Sequence, residues 1–227
     1  MNLLGIDTST AASAACVLRA DGRAFEVEPA PARLAERPGH ATELMPAIAD
    51  CVSRSGLGWS ELDAVAIGVG PGPFTGLRIG VTTARAIAQA SGTQLRPVSS
   101  LAALAAGAAA DADGASVLAV IDARRGEAFA ALYADGEPVW EQFVTAPDDL
   151  AERIRDGGDS PFAAGDGAVR FRDVLEAAGA TVPPDGSRAH IVRGTAVCEL
   201  ARTVAAVPLE AVLPDYLRPP DAKPSIQ

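Results

Sequence analysis

The chain has 227 residues, enough for one large or two small domains with a sizeable core. Its 29 acidic residues outweigh 19 basic ones, and the formal net charge of -10 argues against autonomous nucleic-acid binding, which needs clustered Lys and Arg. No run of about 18 or more apolar residues occurs, so no membrane-spanning helix is expected.

The first element in chain order is a short apolar strand, Asn2-Leu3-Leu4-Gly5-Ile6, ending at Asp7, with Thr8-Ser9-Thr10 making the turn. The acid at Asp7 falls where a signal peptide would carry its apolar core, so secretion is not expected. Strands over 12–18 and 23–27 follow, joined by the hairpin turn Ala20-Asp21-Gly22. Residues 29–39, rich in Pro, Ala and Arg, read as a mobile loop. A helix over 42–53 carries the apolar stripe Leu44, Ile48 and Val52 with Met45 beside it, and Pro46 must lie near its first turn or kink it.

The next stretch organises the rest. Residues 63–69 are a buried strand, Gly70-Pro71-Gly72-Pro73-Phe74-Thr75-Gly76 is a loop of permissive glycines and rigid prolines, and 77–89 is a helix stopped by Gly92. Strand, glycine loop and helix start together offer free backbone N–H groups and a positive dipole end to an anion; the same residues also suit a tight turn and nothing more. It is not a Walker A loop, because the chain's one lysine is Lys223, and Gly76 comes one residue too late for G-x-G-x-x-G after Gly70 and Gly72. Gly76, Gly80, Ala84 and Ala88 recur at spacing four, giving the helix one face almost without bulk. Such a face admits close packing, inside the domain or against a helix of another chain.

A short strand over 95–98 leads to an alanine-rich helix over 101–110 that Ser99 or Ser100 can cap. The composition break Asp111-Ala112-Asp113-Gly114 divides the chain into lobes 1–110 and 111–227, with the last helix and tail free to pack back on the first. The second lobe opens as the first does, with an apolar strand over 116–121 ending at Asp122, then a hairpin of 127–134 and 138–144 about Asp135-Gly136. Helices are expected near 148–155, 169–178 and 189–205, before a proline-rich tail. Two strands that each end in Asp and then meander hint at an internal repeat.

The residues support little chemistry. Asp7 with Thr8, Ser9 and Thr10 could hold a phosphate through hydroxyls and a metal through the carboxylate, or could be a hydrogen-bonded turn. His40 and His190 have no partner at metal-pair spacing, no G-x-S-x-G elbow is present, and Arg124-Arg125-Gly126-Glu127 suits either an anion or a solvated turn. Cys16, Cys51 and Cys198, odd in number and scattered, read as small buried residues of a reducing compartment, and a cytoplasmic location is expected.

Several segments together resemble the TsaB family, also called YeaZ: Leu4-Gly5-Ile6-Asp7-Thr8-Ser9-Thr10, His40 with Glu43-Leu44-Met45-Pro46, the run from Gly68 through Gly80, Asp122-Ala123-Arg124-Arg125-Gly126-Glu127, and Pro214-Asp215-Tyr216-Leu217-Arg218. The likeness runs nearly end to end, and Gly-Pro-Gly-x-Phe-Thr-Gly-Leu-Arg-x-Gly is its most discriminating piece. It implies an α/β, two-lobed ASKHA (actin-like, hexokinase-like) fold with a mixed sheet and flanking helices in each lobe. It also implies a role in forming N6-threonylcarbamoyladenosine (t6A) beside the anticodon of tRNAs that read codons starting with A. There the expected role is that of a non-catalytic subunit that dimerises with its catalytic relative TsaD and helps recruit the ATPase TsaE, meeting tRNA only through the complex. The catalytic relative has a metal-binding His pair after the strand that follows its glycine-loop helix; Ser100 and Leu104 stand at those places here.

The resemblance places the partner interface on the two N-terminal helices, with His40, Leu44, Met45 and Ile48 on one, and Arg78, Gly80, Thr82, Ala84 and Arg85 on the other. It leaves Asp7, Thr8, Ser9, Thr10, Gly70, Gly72, Thr75 and Gly76 as a vestigial phosphate or nucleotide loop, and Ser9, where many kinases of this fold have glycine, weakens that use. No catalytic residue, metal or cofactor is expected of this chain itself, ATP or ADP being left to the complex, and a homodimer is expected in isolation. The alternative is a stand-alone enzyme of the fold, a glycoprotease-type metallopeptidase or a small-molecule kinase.

Overall fold

The computed structural model describes residues 1–218. Its first sheet contains β1 (Leu3–Asp7), β2 (Ala14–Leu18), β3 (Ala24–Val27), β4 (Ala64–Gly70) and β5 (Gln94–Ser99) in the order β3-β2-β1-β4-β5. β1 pairs antiparallel with β2 and parallel with β4, in register Leu3 with Ala64 through Ile6 with Ile67. The second sheet contains β6 (Val117–Arg124), β7 (Glu127–Ala134), β8 (Glu137–Thr145) and β9 (Phe162–Ala164) in the order β8-β7-β6-β9. β6 pairs antiparallel with β7 and parallel with β9, the same relation that β1 has to β2 and β4. The repeat hinted at by the two strand-end aspartates is therefore a repeat of topology.

Helices α1 (His40–Ser55) and α2 (Phe74–Ser91) cover one face of the first sheet. Leu44, Ile48 and Val52 of α1 and Val81, Ala84 and Ala88 of α2 pack there on Leu4, Ile6, Val65 and Ile67. Burying each large aliphatic side chain contributes roughly 1.5–3 kcal/mol, which makes this layer a main source of stability. Helix α3 (Ser100–Ala108) lies between the sheets with α7 (Gly194–Ala201). Leu101 and Leu104 meet Leu3 and Cys16 from one sheet, Ile121 and Phe129 from the other, and Val197 and Cys198 from α7. α4 (Pro147–Gly157), α5 (Asp166–Arg170) and α6 (Arg172–Ala177) cover the far side of the second sheet, where Leu150, Ile154 and Leu175 pack on Leu118 and Val120. The layers alternate helix, sheet, helix, sheet, helix, and no described helix is long and apolar enough to cross a membrane.

Several expected elements differ. α1 begins at His40 and α2 at Phe74, each earlier than its apolar stripe announces. Residues 29–39 hold a 3-10 turn, Pro31–Ala35, and Arg33 of that turn pairs with Glu36 and with Glu43 of α1. The helix expected near 169–178 is two short ones, α5 and α6, broken at Phe171, whose φ of -107° and ψ of 22° leave the helical region. The long helix expected over 189–205 is a 3-10 turn, Arg188–His190, followed by α7. Gly194 opens α7 against β2, and a Cβ there would lie 2.8 Å from the Cys16 Cβ, so helix and sheet meet through their backbones. β9 has only three residues, too few for a periodic pattern to show. The part of the tail beyond residue 218 lies outside the described residues.

Candidate functional site

The turn after β1 and the glycine loop after β4 lock into each other. Asp7, Thr8, Ser9 and Thr10 are all buried. The Ser9 backbone N–H and hydroxyl both donate to Asp7 Oδ1, at 2.7 and 2.6 Å, and the Ser100 hydroxyl donates to Asp7 Oδ2 at 2.6 Å. The Ser100 oxygen in turn accepts the Gly70 N–H at 3.2 Å. Burial raises the Asp7 pKa, opposed by the hydrogen bonds from Ser100 and Ser9. From the other side, the Thr8 hydroxyl donates to the Gly76 carbonyl at 2.8 Å, and a Cβ on Gly72 would sit 2.5 Å from the Ser9 carbonyl oxygen. A Cβ on Gly68 would strike the Asp7 carboxylate, one on Gly76 the Thr8 carbonyl, and one on Gly80 the Thr8 hydroxyl. The glycines are therefore there for close approach of two backbones, and the polar groups of the turn are consumed inside the fold. Thr10, Thr75 and Gly76 line a cavity of about 590 Å³ with Gly39, His40, Ile79 and Arg124, and of these three only Thr75 is exposed.

The cap of α3 resolves in the same place. Ser99 caps it, its hydroxyl oxygen accepting the Ala102 N–H at 3.3 Å, so Ser100 is free to reach Asp7. Leu104, one helical turn beyond Ser100, is fully buried in the core between the sheets. Ser100 and Leu104 thus serve as a carboxylate donor and as packing.

The second lobe ends its first strand in a comparable way. Asp122 is buried and accepts from the Arg124 backbone N–H at 2.8 Å, from the Arg124 guanidinium at 3.1 Å and from the Arg170 guanidinium at 2.9 Å. Asp166 accepts the Asp122 N–H at 3.0 Å, and burial, with the neighbouring Asp122 charge adding to it, pushes its pKa up to about 6. Asp122, Asp166 and Arg170 face Pro31 and Leu34 of the first lobe across a cavity of about 540 Å³. The turn Arg124-Arg125-Gly126 is built from three successive left-handed residues.

The nine residues expected at a partner interface divide by the way they face. His40, Leu44, Ile48, Gly80 and Ala84 are buried within the chain itself, so of the packing alternatives open to the small residues, Gly80 and Ala84 take the one inside the domain. His40 is held by the Ser13 hydroxyl 2.8 Å from its Nδ1, and burial lowers its pKa. Leu44, Ile48 and Ala84 lie in the core under α1 and α2, and Gly80 meets Thr8. The small-residue face is the face that lets α2 settle onto its own sheet. Met45, Arg78 and Thr82 are exposed, and Arg85 is half-buried.

Turned the other way, α1 and α2 form an apolar groove of about 680 Å³ lined by Met45, Trp59, Thr82, Ala86, Ile87 and Ala90. Met45 is 47% and Trp59 39% exposed, a large apolar commitment to solvent for two adjoining side chains. Trp59, Ala86 and Ala90 were missed by reading the stripe of small residues as the contact surface. The sequence shows a Trp shortly before a strand and alanines on the helix's other face, but their exposure is decided by the tertiary structure.

Residues 33–157 match the family model described as TsaD: tRNA N6-adenosine threonylcarbamoyltransferase. The chain is 33% identical to the tRNA threonylcarbamoyladenosine biosynthesis protein TsaB of Escherichia coli, over 68% of this chain and 67% of that protein. It is 34% identical to an uncharacterised Mycobacterium leprae protein over 98% of this chain, but the match spans only 56% of that protein's length. Among solved structures it is similar to YeaZ from Pseudomonas aeruginosa, with a TM-score of 0.76 and 29% identity, covering 95% of this chain and 99% of that one.

Proposed function

The chain belongs to the TsaB (YeaZ) family, and on that premise we propose that it is a non-catalytic subunit of the machinery that forms t6A on tRNA, docking a TsaD-type transferase through the outward groove of α1 and α2. The observation that carries this reading is the groove itself, with Met45 and Trp59 left in solvent beside Thr82, Ala86, Ile87 and Ala90. A flexible thioether and an indole above alanines suit a helix pair of a partner, because they supply contact area that adapts to its shape. A specific interface buries about 800 Å² per partner, which two helices of 16 and 18 residues can supply.

The accessory role is supported by what the equivalent positions do. Ser100 and Leu104 occupy the places where the catalytic relative is expected to carry metal ligands; a hydroxyl spent on Asp7 and a buried leucine cannot replace two imidazoles. The turn that would grip phosphate is closed on itself by Thr8, Ser9 and the loop glycines. Recruitment of a TsaE-type ATPase, contact with tRNA solely through the assembled complex, nucleotide held by the complex rather than by this chain, homodimerisation through the same groove when the partner is absent, and a cytoplasmic location complete the proposal.

The test is reconstitution. The chain is mixed with its TsaD and TsaE relatives, and threonylcarbamoylation of tRNA is measured with and without it, alongside co-purification. Stimulated modification and a stable pair with the transferase are expected. Modification indifferent to the chain, or turnover of ATP or peptide by the isolated polypeptide, would overturn the reading in favour of the kinase or metallopeptidase alternative.

A further inference from the structure

The motif at 214–218 runs across the front of the molecule and grips both lobes. On the first lobe, the Asp215 N–H donates to the Val69 carbonyl at 2.7 Å, beside Gly70, where a Cβ would come within 3.0 Å of the Asp215 carbonyl oxygen. Gly70 has a φ of 120°, a backbone state that only glycine adopts readily, so both its conformation and its bareness admit the segment. Tyr216 stacks on Phe74 of α2 with ring centroids 5.1 Å apart, and its hydroxyl accepts from Arg78 Nε at 3.1 Å. Arg78 itself lies over the Phe74 ring, 3.7 Å from the centroid. On the second lobe, Gln142 of β8 donates to the Asp215 carboxylate at 2.5 Å, and the Arg218 guanidinium donates to the Ala123 carbonyl at 3.1 Å and pairs with Glu127.

We propose that residues 214–218 are a latch that sets how far the two lobes part at the front of the molecule. At the back of the molecule the lobes are fused by the apolar layer around α3 and α7, which no small motion can open. At the front, both cavities described above have walls from the two lobes: Pro31 and Leu34 against Asp122 and Asp166 in one, Thr10 and His40 against Arg124 in the other. The latch anchors within three residues of those walls, at Ala123 and Glu127, so its grip sets how far the front can part. Leu217 packs against the apolar layer, but the holds at Gln142, Ala123 and Glu127 are polar contacts of half-buried side chains, which exchange with water more readily than the dry rear layer does. Closure of the front is therefore adjustable and closure of the rear is not.

The experiment compares the parent chain with the double variant Gln142→Ala, Arg218→Ala by native-state hydrogen exchange. Release of the latch speeds exchange by about tenfold at the Asp215 amide and in the facing segments 39–43 and 122–127, while β1, β4 and α3 keep their protection. Unchanged exchange at the front, or an equal increase through both sheets, would overturn the proposal, the second by showing that the contacts merely add to global stability. If the double variant does not fold, Tyr216→Phe, which deletes one surface hydrogen bond from Arg78, is read by the same two criteria.

Discussion

The Ser100 hydroxyl donates a 2.6 Å hydrogen bond to the Asp7 carboxylate across 93 residues of chain, joining the end of β1 to the start of α3. A buried carboxylate is costly unless donors satisfy it, and here the Ser9 N–H, the Ser9 hydroxyl and the Ser100 hydroxyl do so. The same serine oxygen receives the Gly70 N–H, so one side chain ties β1, β4 and α3 together.

Ser100→Ala removes a donor from a buried carboxyl and leaves the Gly70 N–H without its acceptor. The expected loss is about 1–3 kcal/mol, read as a lower urea midpoint at unchanged slope. A midpoint equal to that of the parent would mean that water replaces the hydroxyl.

Gly80→Ala is expected to destabilise by about 1–3 kcal/mol, because the added methyl meets the Thr8 hydroxyl. In a Thr8→Ala background that obstacle is gone, and the same substitution should cost much less. The two changes are thus non-additive in a double-mutant cycle; strict additivity would place the strain elsewhere on α2.

The groove separates from the core by the same logic. Thr82→Arg or Ala86→Arg puts a charge on the exposed face and is expected to abolish association with a TsaD-type partner while leaving the melting curve within about 0.5 kcal/mol. Ala84→Arg, midway between them in sequence but fully buried on the opposite side of the helix, is expected to prevent folding altogether. Binding that survives both surface changes would move the interface off these helices.

Asp166 gives the chain a pH signature. With its folded pKa pushed up from 3.8 to about 6, the native state holds the proton more tightly than the unfolded chain does. Stability from this group is complete below pH 3.8 and declines as pH rises towards about 6, by on the order of 2–3 kcal/mol. Asp7, also raised by burial, acts with the same sign, so the difference between parent and Asp166→Asn isolates the effect. Urea melts from pH 4 to 7 should show the variant gaining on the parent as pH rises; parallel curves would refute the assignment.

What the amino-acid order determined alone was local and periodic. The alternation of apolar strands with glycine and aspartate turns announced the strands and hairpins of each half, the stripe Leu44, Ile48 and Val52 announced α1, and Gly92 its neighbour's end, whereas a mixed sheet in each lobe was implied only by the family resemblance. The motif from Gly68 to Gly80 was specific enough to name a family. Only the tertiary structure decided which way the faces turned. The spacing of Gly76, Gly80, Ala84 and Ala88 says that something comes close but not what, since a helix without bulk accepts its own sheet as readily as a foreign helix. Thr8 and Ile67 supply that neighbour from residues far away in sequence. For the same reason the hydroxyls after Asp7 looked available for a phosphate until Ser100 and the glycine loop closed over them. Burial depends on what the rest of the chain brings to a residue, and no local pattern records it.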